Sequence, residues 1–301
     1  MDPAFVFAYQ RALVGDERRL AAYRETIARV VRPGHVVVDL GAGTGVLSVY
    51  AARAGAARVH AVDRSVSPAH LRAVLEQNGV ADRVQIHYAD SRAVELPEQC
   101  DVLIAEIGLD EEVLLDARRR FLRAGGVAIP EEVTFCMAPI HAPAAYAELV
   151  DFWNTDHAAI EVSALRRFAA NQVHRTSLEG VGLLAQPVVV LSVRPAHSDS
   201  AFVTGNGQFT FASGALVHGF AGWHRVRLAE ARAYDNAPPG PPEGWAHHFF
   251  PLERPREVTA GTRVQLTVSK RGMVWTWRGR FGSEGFDHST FMNLALVTDG
   301  S

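Results

Sequence analysis

Apolar runs alternate with amphipathic stretches between about residues 33 and 140. The short apolar runs predict β-strands at 35–40, 58–62, 84–87, 102–105 and 127–130. The stretches between them have the periodicity of α-helices, at 46–54, 68–78 and 111–121. Ser67-Pro68 and Gly79 are typical of the first and last residues of a helix. Strands that alternate with helices predict a doubly wound parallel sheet.

The pattern differs on both sides of this region. Residues 1–32 are polar and helical, and Asp16 is suited to cap a helix N-terminus. After residue 140, short apolar runs are separated by Gly/Pro clusters, as is typical of an antiparallel barrel or sandwich. These runs predict strands at 187–194, 206–213, 218–229, 246–252, 262–270 and 273–281. The sequence therefore predicts three parts: a helical lid (1–32), a cofactor domain (33–140) and a β-barrel substrate domain (141–301).

The turn after the first predicted strand indicates the cofactor. Its glycines follow the pattern Gly41-x-Gly43-x-Gly45, whereas a dinucleotide-binding turn has its third glycine one residue later. Asp39, just before the turn, would repel a pyrophosphate but suits a cationic amine. Asp63 ends the next strand, where a carboxylate can accept both ribose hydroxyls. These features favour S-adenosylmethionine over a nicotinamide cofactor.

Composition restricts the class of protein and its surroundings. The 301 residues carry a formal net charge of −3, without the basic footprint of a nucleic-acid-binding protein. The sequence has neither a signal peptide nor an apolar run long enough for a membrane span, so we expect a cytoplasmic protein without a membrane partner. Cys100 and Cys136 lie in apolar contexts that favour core packing, and no His/Cys/Asp spacing indicates a metal site.

Several segments of the chain are similar to the motifs of one known family. Residues 38–48, Val-Asp-Leu-Gly-Ala-Gly-Thr-Gly-Val-Leu-Ser, resemble motif I of class I methyltransferases and its continuation in the protein arginine methyltransferase family. Ile104-Ala105-Glu106 is similar to the start of the family's double-glutamate loop. Further similar landmarks are Val94-Glu95-Leu96-Pro97, Phe152-Trp153, Gly222-Trp223, Trp245 and Phe249-Phe250-Pro251-Leu252. The resemblance implies an α/β class I methyltransferase sheet followed by an antiparallel β-barrel-like domain.

The resemblance also implies which residues contact S-adenosylmethionine. Asp39, Gly41 and Gly43 would line its methionine side, and Asp63 would hold the ribose. Arg19, with Arg18 as the alternative, would bind the cofactor carboxylate, or would belong to a charged helix face. The complete predicted cofactor site is Tyr9, Arg19, Asp39, Gly41, Ala42, Gly43, Asp63, Arg64, Asp90, Ser91 and Glu106.

The sequence departs from the family where the methyl acceptor would bind. Glu106 corresponds to the first of the two glutamates that hold a guanidinium, but the loop after it is shorter than in the family. Glu111 or Glu112 could replace the second glutamate, or could belong to the acidic first turn of a helix. Trp245 is retained from the family's Thr-His-Trp segment, while Gly244 stands in the place of the histidine.

We interpret these departures as a change of substrate. The main hypothesis is methyl transfer to a nitrogen or electron-rich aromatic carbon of a small metabolite, such as an indole in natural-product biosynthesis. Arginine guanidino methylation is the alternative, and a non-catalytic cofactor-binding regulator is the alternative from another class. The resemblance also implies a homodimer, for which 155–185 could supply a reduced arm. The candidate catalytic residues are Glu106, Glu111 and His247, and the candidate substrate residues are Trp245, His248 and His288.

Overall fold

The structure is a computed structural model that describes residues 3–106, 110–156, 159–197, 202–229, 233–242 and 244–291. Its internal contacts divide the chain into two compact units. The first unit runs to Val133 and also includes 193–201 and 226–234. The remaining segments form the second unit. A division into consecutive domains cannot represent the two segments that return to the first unit.

The first unit contains the parallel sheet that the apolar runs predict. Its helices are α1 (Pro3–Gly15), α2 (Glu17–Val30), α3 (Val46–Arg53), α4 (Pro68–Gln77) and α5 (Glu111–Phe121). Its strands are β1 (Val36–Leu40), β2 (Arg58–Asp63), β3 (Val84–Tyr88), β4 (Cys100–Ala105) and β5 (Leu122–Ile129), with a short 3-10 helix at Ser91–Ala93. The predicted α/β fold class is confirmed, although β5 begins at Leu122 rather than at residue 127.

The strand order β3-β2-β1-β4-β5 determines where ligands can bind. β1 pairs in parallel with both β2 and β4. The chain therefore builds the sheet outward from β1 in one direction through β2 and β3, and in the opposite direction through β4 and β5. The apolar side chains of β1 are fully buried at Val37 and Val38, which fixes this strand in the middle of the sheet. In open sheets of this kind, ligands bind at the carboxyl ends of the strands next to the reversal.

Gly45 shows why the turn after β1 requires glycine. Its φ is +83°, in the left-handed region, and it caps the N-terminus of α3. A Cβ atom at this position would lie 2.2 Å from Cδ1 of Leu71 on α4. Both the backbone conformation and the packing of α4 against the turn therefore exclude a side chain here.

The second unit consists mainly of antiparallel strands. Its helices are α6 (Pro143–Leu149) and α7 (Arg166–Ala170), and two 3-10 helices span Asp151–Asn154 and Ser163–Leu165. The strands that follow β5 are β6 (Glu132–Ile140), β7 (His174–Thr176), β8 (Val188–Val193), β9 (Phe202–Thr210), β10 (Ala215–Arg227), β11 (Ala233–Asp235), β12 (His247–Val258), β13 (Arg263–Arg271), β14 (Val274–Phe281) and β15 (Glu284–Ser289). β6, β8, β10 and β11 each extend across a unit boundary.

These strands form two sheets, with the orders β7-β12-β10-β6-β8 and β15-β14-β13-β9. The indole Nε1 of Trp277 on β14 donates to the carbonyl of Pro251 on β12 at 3.0 Å, which joins the two sheets. Trp223 and Phe249 are buried in the core of the first of them. The predicted antiparallel barrel-like domain is confirmed. Among the described residues, no helix combines the length and apolar character needed to cross a bilayer.

Candidate active site

Three carboxylates follow neighbouring strands of the parallel sheet. Asp39 lies near the carboxyl end of β1, Asp63 ends β2, and Glu106 directly follows β4. Because β1 pairs with both β2 and β4, these side chains belong to one edge of the sheet. The edge is also the one at which the strand order reverses, so its position agrees with that of a ligand site.

Asp39 is a buried carboxyl group whose charge is poorly solvated. Its exposed fraction is 1 %, and its Oδ2 accepts a hydrogen bond from the Ser48 hydroxyl at 2.6 Å. Burial raises the pKa of Asp39 to about 6, the charge of Asp63 adds to this rise, and the bond from Ser48 opposes it. A group in this state binds a cation favourably, because the cation stabilises its ionised form.

Asp63 is fixed by backbone N–H groups on both of its oxygens. Oδ2 accepts from Gly43 N at 2.9 Å, across the glycine turn. Oδ1 accepts from Ser65 N at 2.7 Å and from Val66 N at 2.8 Å. These bonds orient the carboxylate and connect it to the turn, so that Asp63 and Gly43 form one rigid part of the site.

Asp90 carries two arginine partners beyond the end of β3. Arg64 donates to it at 2.7 Å and Arg92 at 2.8 Å, and the hydrogen bonds from Arg92 hold the pKa of Asp90 well below its usual range. The neighbouring Ser91 is buried, and its carbonyl accepts a hydrogen bond from Arg120. The predicted adenine-side residues Arg64, Asp90 and Ser91 therefore occupy one connected corner, and their contact with a cofactor stays a prediction.

Arg19 and Glu106 form a buried ion pair. Asp16 caps α2 as expected, with its Oδ1 accepting from Arg19 N at 2.9 Å. The Arg19 guanidinium donates through Nη1 to Glu106 Oε1 and through Nη2 to the carbonyl of Leu13. The side chains of the pair are only 3 % and 9 % exposed. Burial raises the pKa of Glu106 to about 7 even though Arg19 opposes the rise, so one arginine does not fully compensate the buried charge.

Helix α1 lies over the glycine turn and places a residue that the sequence interpretation missed. The amide oxygen of Gln10 would lie 2.7 Å from a Cβ atom at Gly43, so this amide group occupies the space that the missing side chain leaves. Tyr9, the predicted N-terminal aromatic of the cofactor site, is 38 % exposed on the same helix. No motif in the sequence pointed to Gln10, whose place depends on how α1 packs.

Tyr23 is a second missed residue. It is fully buried, and the Arg19 guanidinium lies 5.9 Å from the centre of its ring. The two residues are four positions apart on α2, which places them on the same helix face. This spacing was visible in the sequence and could have indicated that Tyr23 supports Arg19.

The two candidates for the second glutamate, Glu111 and Glu112, lie in the first turn of α5. Residues 107–109 and the side chain of Glu111 lie outside the described residues. Asp110 caps α5 through a hydrogen bond from Val113 N at 3.4 Å, and Glu112 is exposed in the first turn of this helix. The backbone thus has the form of an acidic first helical turn, and the catalytic role assigned to Glu111 stays a prediction.

His247 has the surroundings of a structural residue in the second unit. It is fully buried, its Nδ1 accepts from Leu178 N at 2.8 Å, and its Nε2 lies 2.7 Å from the carbonyl of Asn236. These partners fix the tautomer with the proton on Nε2, and burial lowers the pKa of the ring. Both ring nitrogens are thereby engaged, which argues against the proposed role of His247 as a general base.

The candidate substrate residues lie among aromatic rings of the second unit. Trp245 is 8 % exposed and meets the ring of His224 edge-on, with the ring centres 4.8 Å apart. His248 packs against Phe135, and burial lowers its pKa to about 3. His288 stacks on Trp277 at 5.1 Å. All three contribute to packing, and contact with a substrate stays a prediction for each.

Comparisons with known proteins agree with this arrangement. Residues 13–134 match the model of the TRM5/TYW2 methyltransferase domain. The probable protein arginine N-methyltransferase 6 of Arabidopsis thaliana is 34 % identical over 235 residues, which cover 72 % of this chain and 53 % of that protein. Protein arginine N-methyltransferase 6 of Xenopus laevis is 28 % identical over 85 % of this chain and 82 % of its own length. The match spans 53 % of the length of this Arabidopsis protein and 64 % of the length of a similar protein from rice.

Solved structures share the fold at low sequence identity. A chain of the PRMT1 enzyme–prozyme heterotetrameric complex of Trypanosoma brucei with AdoHcy matches with a TM-score of 0.81 at 20 % identity. The match covers 93 % of this chain and 97 % of that chain. Protein arginine methyltransferase 10 of Arabidopsis thaliana matches with a TM-score of 0.74 at 20 % identity. This match covers 94 % of this chain and 99 % of that chain. The chain therefore carries a class I, S-adenosylmethionine-dependent methyltransferase domain in the architecture of the protein arginine methyltransferases.

Proposed function

We propose that this protein methylates guanidino nitrogens of arginine residues in proteins. The observation that carries the proposal is the contact between Glu106 and Arg19: the buried Glu106 carboxylate already accepts a hydrogen bond from a guanidinium. Its raised pKa means that its charge is insufficiently compensated, which favours the approach of a second cation. The names of the similar curated proteins support the same acceptor.

The residues of the first unit fit S-adenosylmethionine. Gly43 presents backbone without a side chain in the turn, and the N–H of that glycine is already aligned by Asp63. Asp39 would offer its buried carboxyl group to the cationic amine, and Asp63, at the end of β2, would hold the ribose hydroxyls. Arg19 is the cation available in this cluster for the cofactor carboxylate. When bound, this cofactor supplies an electrophilic methyl group on a sulfonium.

The residues of the chain would act mainly by orientation. Glu106 would accept an N–H of the acceptor guanidinium and fix the nitrogen that receives the methyl group. Burial of the site excludes water, which strengthens this charge-assisted hydrogen bond. Since the pKa of Glu106 lies near neutrality, the same carboxylate can hold the proton that the acceptor nitrogen loses.

The comparisons favour this reading over the small-metabolite hypothesis. The similar curated proteins are named as protein arginine methyltransferases, and none of the reported similarities supports a natural-product substrate. The shorter loop after Glu106 and the absent barrel histidine were the grounds for that hypothesis. We now interpret them as differences in how a protein acceptor is held.

The test is methylation of peptides in vitro. The protein is incubated with radiolabelled S-adenosylmethionine and either an Arg/Gly-rich peptide or the same peptide with every arginine replaced by lysine. We expect label in the arginine peptide alone, and methylarginine in its hydrolysate. A panel of free arginine, indoles and phenols is run in parallel. Label confined to a metabolite, or no turnover with any acceptor while the cofactor binds by calorimetry, would refute the proposal.

A further inference from the structure

Tyr234 belongs to the cluster around Glu106 although it lies far away in the sequence. It is part of the segment 226–234, which returns to the first unit between two stretches of the second. Its ring lies 6.2 Å from the ring of Tyr23, at an angle of 58°. Its hydroxyl oxygen is buried. Neither a motif nor the resemblance assigned a role to this residue.

A continuous series of contacts connects Tyr234 to the candidate catalytic carboxylate. The ring of Tyr234 packs on Tyr23, and the ring of Tyr23 lies 5.9 Å from the guanidinium carbon of Arg19. Arg19 in turn donates to Glu106. Because Arg19 is 3 % exposed, its guanidinium has little freedom once the Tyr23 ring is fixed.

Electrostatic coupling supports the same connection. Burial raises the pKa of Tyr234 well above its usual value, and the charge of Glu106 and the hydrogen bond with Tyr23 raise it further. Burial and the charge of Glu106 likewise raise the pKa of Tyr23. Both phenols are therefore neutral near pH 7. Among the described residues, the charged groups that act on Glu106 are Arg19, Asp39 and Asp16.

We propose that Tyr234 is a positioning residue: by packing on Tyr23 it holds Arg19, and through Arg19 it holds the Glu106 carboxylate in the orientation that receives the acceptor. This inference rests on the proposed function for its catalytic consequence, but the alignment of Arg19 with Glu106 is a property of the chain itself. Loss of the Tyr234 ring would let the Tyr23 ring move and weaken the ion pair. Glu106 would then bind its proton more tightly, because the neighbouring cation would stabilise its ionised form less.

The experiment measures the protonation of Glu106 directly. The carboxyl carbons of glutamate are labelled with ¹³C, Glu106 is assigned by comparison with Glu106→Gln, and its titration is followed by NMR in the full chain. We expect Tyr234→Ala to raise the pKa of Glu106 by about one unit, a tenfold change in proton affinity. Tyr234→Phe retains the ring and removes only the hydroxyl group, which takes part in a hydrogen bond with Tyr23, so its shift should be clearly smaller than that of Tyr234→Ala. Tyr50→Ala is the matched control, since Tyr50 is a part-buried tyrosine on α3.

Activity provides the second readout. If arginine peptides are methylated, Tyr234→Ala should lower kcat/KM at pH 7 by tenfold or more, by misplacing Glu106. The acidic limb of the pH profile should move to higher pH by the amount seen in the titration. Tyr234→Leu serves in the same way if the alanine variant does not fold.

The outcomes separate this inference from the proposed function. An unchanged Glu106 titration in Tyr234→Ala and Tyr234→Leu would overturn the inference, whatever the substrate. Equal shifts in Tyr234→Phe and Tyr234→Ala would also overturn it, because the packing of the ring would then not be the cause. A shifted titration in a protein that methylates no arginine would uphold the positioning role of Tyr234 and refute the proposed function.

Discussion

Replacing Glu106 with glutamine should remove a pH-dependent loss of stability. The ordinary pKa of a glutamate is 4.5, and burial raises that of Glu106 to about 7. Between these two values the folded protein binds more protons than the unfolded chain does. The free energy of unfolding therefore falls as the pH rises through this window. Glu106→Gln has no proton to release, so its stability should lack this decline.

The size of the effect follows from the two pKa values. At about 1.4 kcal/mol per pH unit, the difference between 4.5 and about 7 corresponds to about 3 kcal/mol in total. Part of the decline lies below pH 5, which leaves about 2 kcal/mol between pH 5 and pH 8. Because the side chain of Glu106 is only 9 % exposed, solvent screening reduces this figure little.

The assay is urea denaturation of the cofactor-free protein at several pH values from 5 to 8. Glu112→Gln is the control, because Glu112 is an exposed glutamate close by in the sequence. The difference in unfolding free energy between Glu106→Gln and the wild-type protein should grow by about 2 kcal/mol from pH 5 to pH 8. A change in the contacts of Arg19 would add an offset that does not vary with pH. Parallel curves for the two proteins would refute the reasoning on Glu106.

Three further substitutions test other parts of the structure. Gly45→Ala should lower the free energy of unfolding by about 1–3 kcal/mol, because its Cβ would meet Leu71, and the same substitution should cost less in a Leu71→Ala background; unchanged stability would contradict this packing. Asp63→Ala should weaken the binding of S-adenosylhomocysteine, measured by calorimetry, by about 1–3 kcal/mol, and an unaltered affinity would count against its placement. His247→Leu should lower the free energy of unfolding by about 1–3 kcal/mol and leave kcat unchanged. A loss of kcat at normal stability would instead indicate that His247 acts as a general base.

Local patterns predicted the parallel sheet well because its strands are short, apolar and buried. Predicted strands at 58–62 and 84–87 differ from β2 and β3 by one residue each. The patterns missed four strands: β6, which is apolar and buried, and β7, β11 and β15, which are stabilised by pairing rather than by their own composition. β7 and β11 have three residues each, and β15 is largely polar.

The candidate site was only partly predictable for a related physical reason. Asp39 lies just before the glycine turn and Asp63 ends the next apolar strand, so their positions along the chain fix their positions at the sheet edge. Tyr234 reaches the cluster through the return of 226–234 to the first unit, a tertiary connection that no local pattern encodes. His247 was a candidate because of its chemical type and its place near Trp245, and its contacts show how a reactive residue type can serve packing.

The charges at the carboxyl ends of β1, β2 and β4 link the cofactor and the acceptor. Asp39, Asp63 and Glu106 place three carboxyl groups there, and Arg19 is the cation paired with Glu106. Burial raises the pKa of both Asp39 and Glu106, so the cluster holds negative charge at a cost in folding free energy. A cationic amine beside Asp39 and a guanidinium beside Glu106 would each recover part of that cost. A neutral metabolite would recover no such cost, so the charges of the cluster support the proposed cationic acceptor independently of the names of similar proteins.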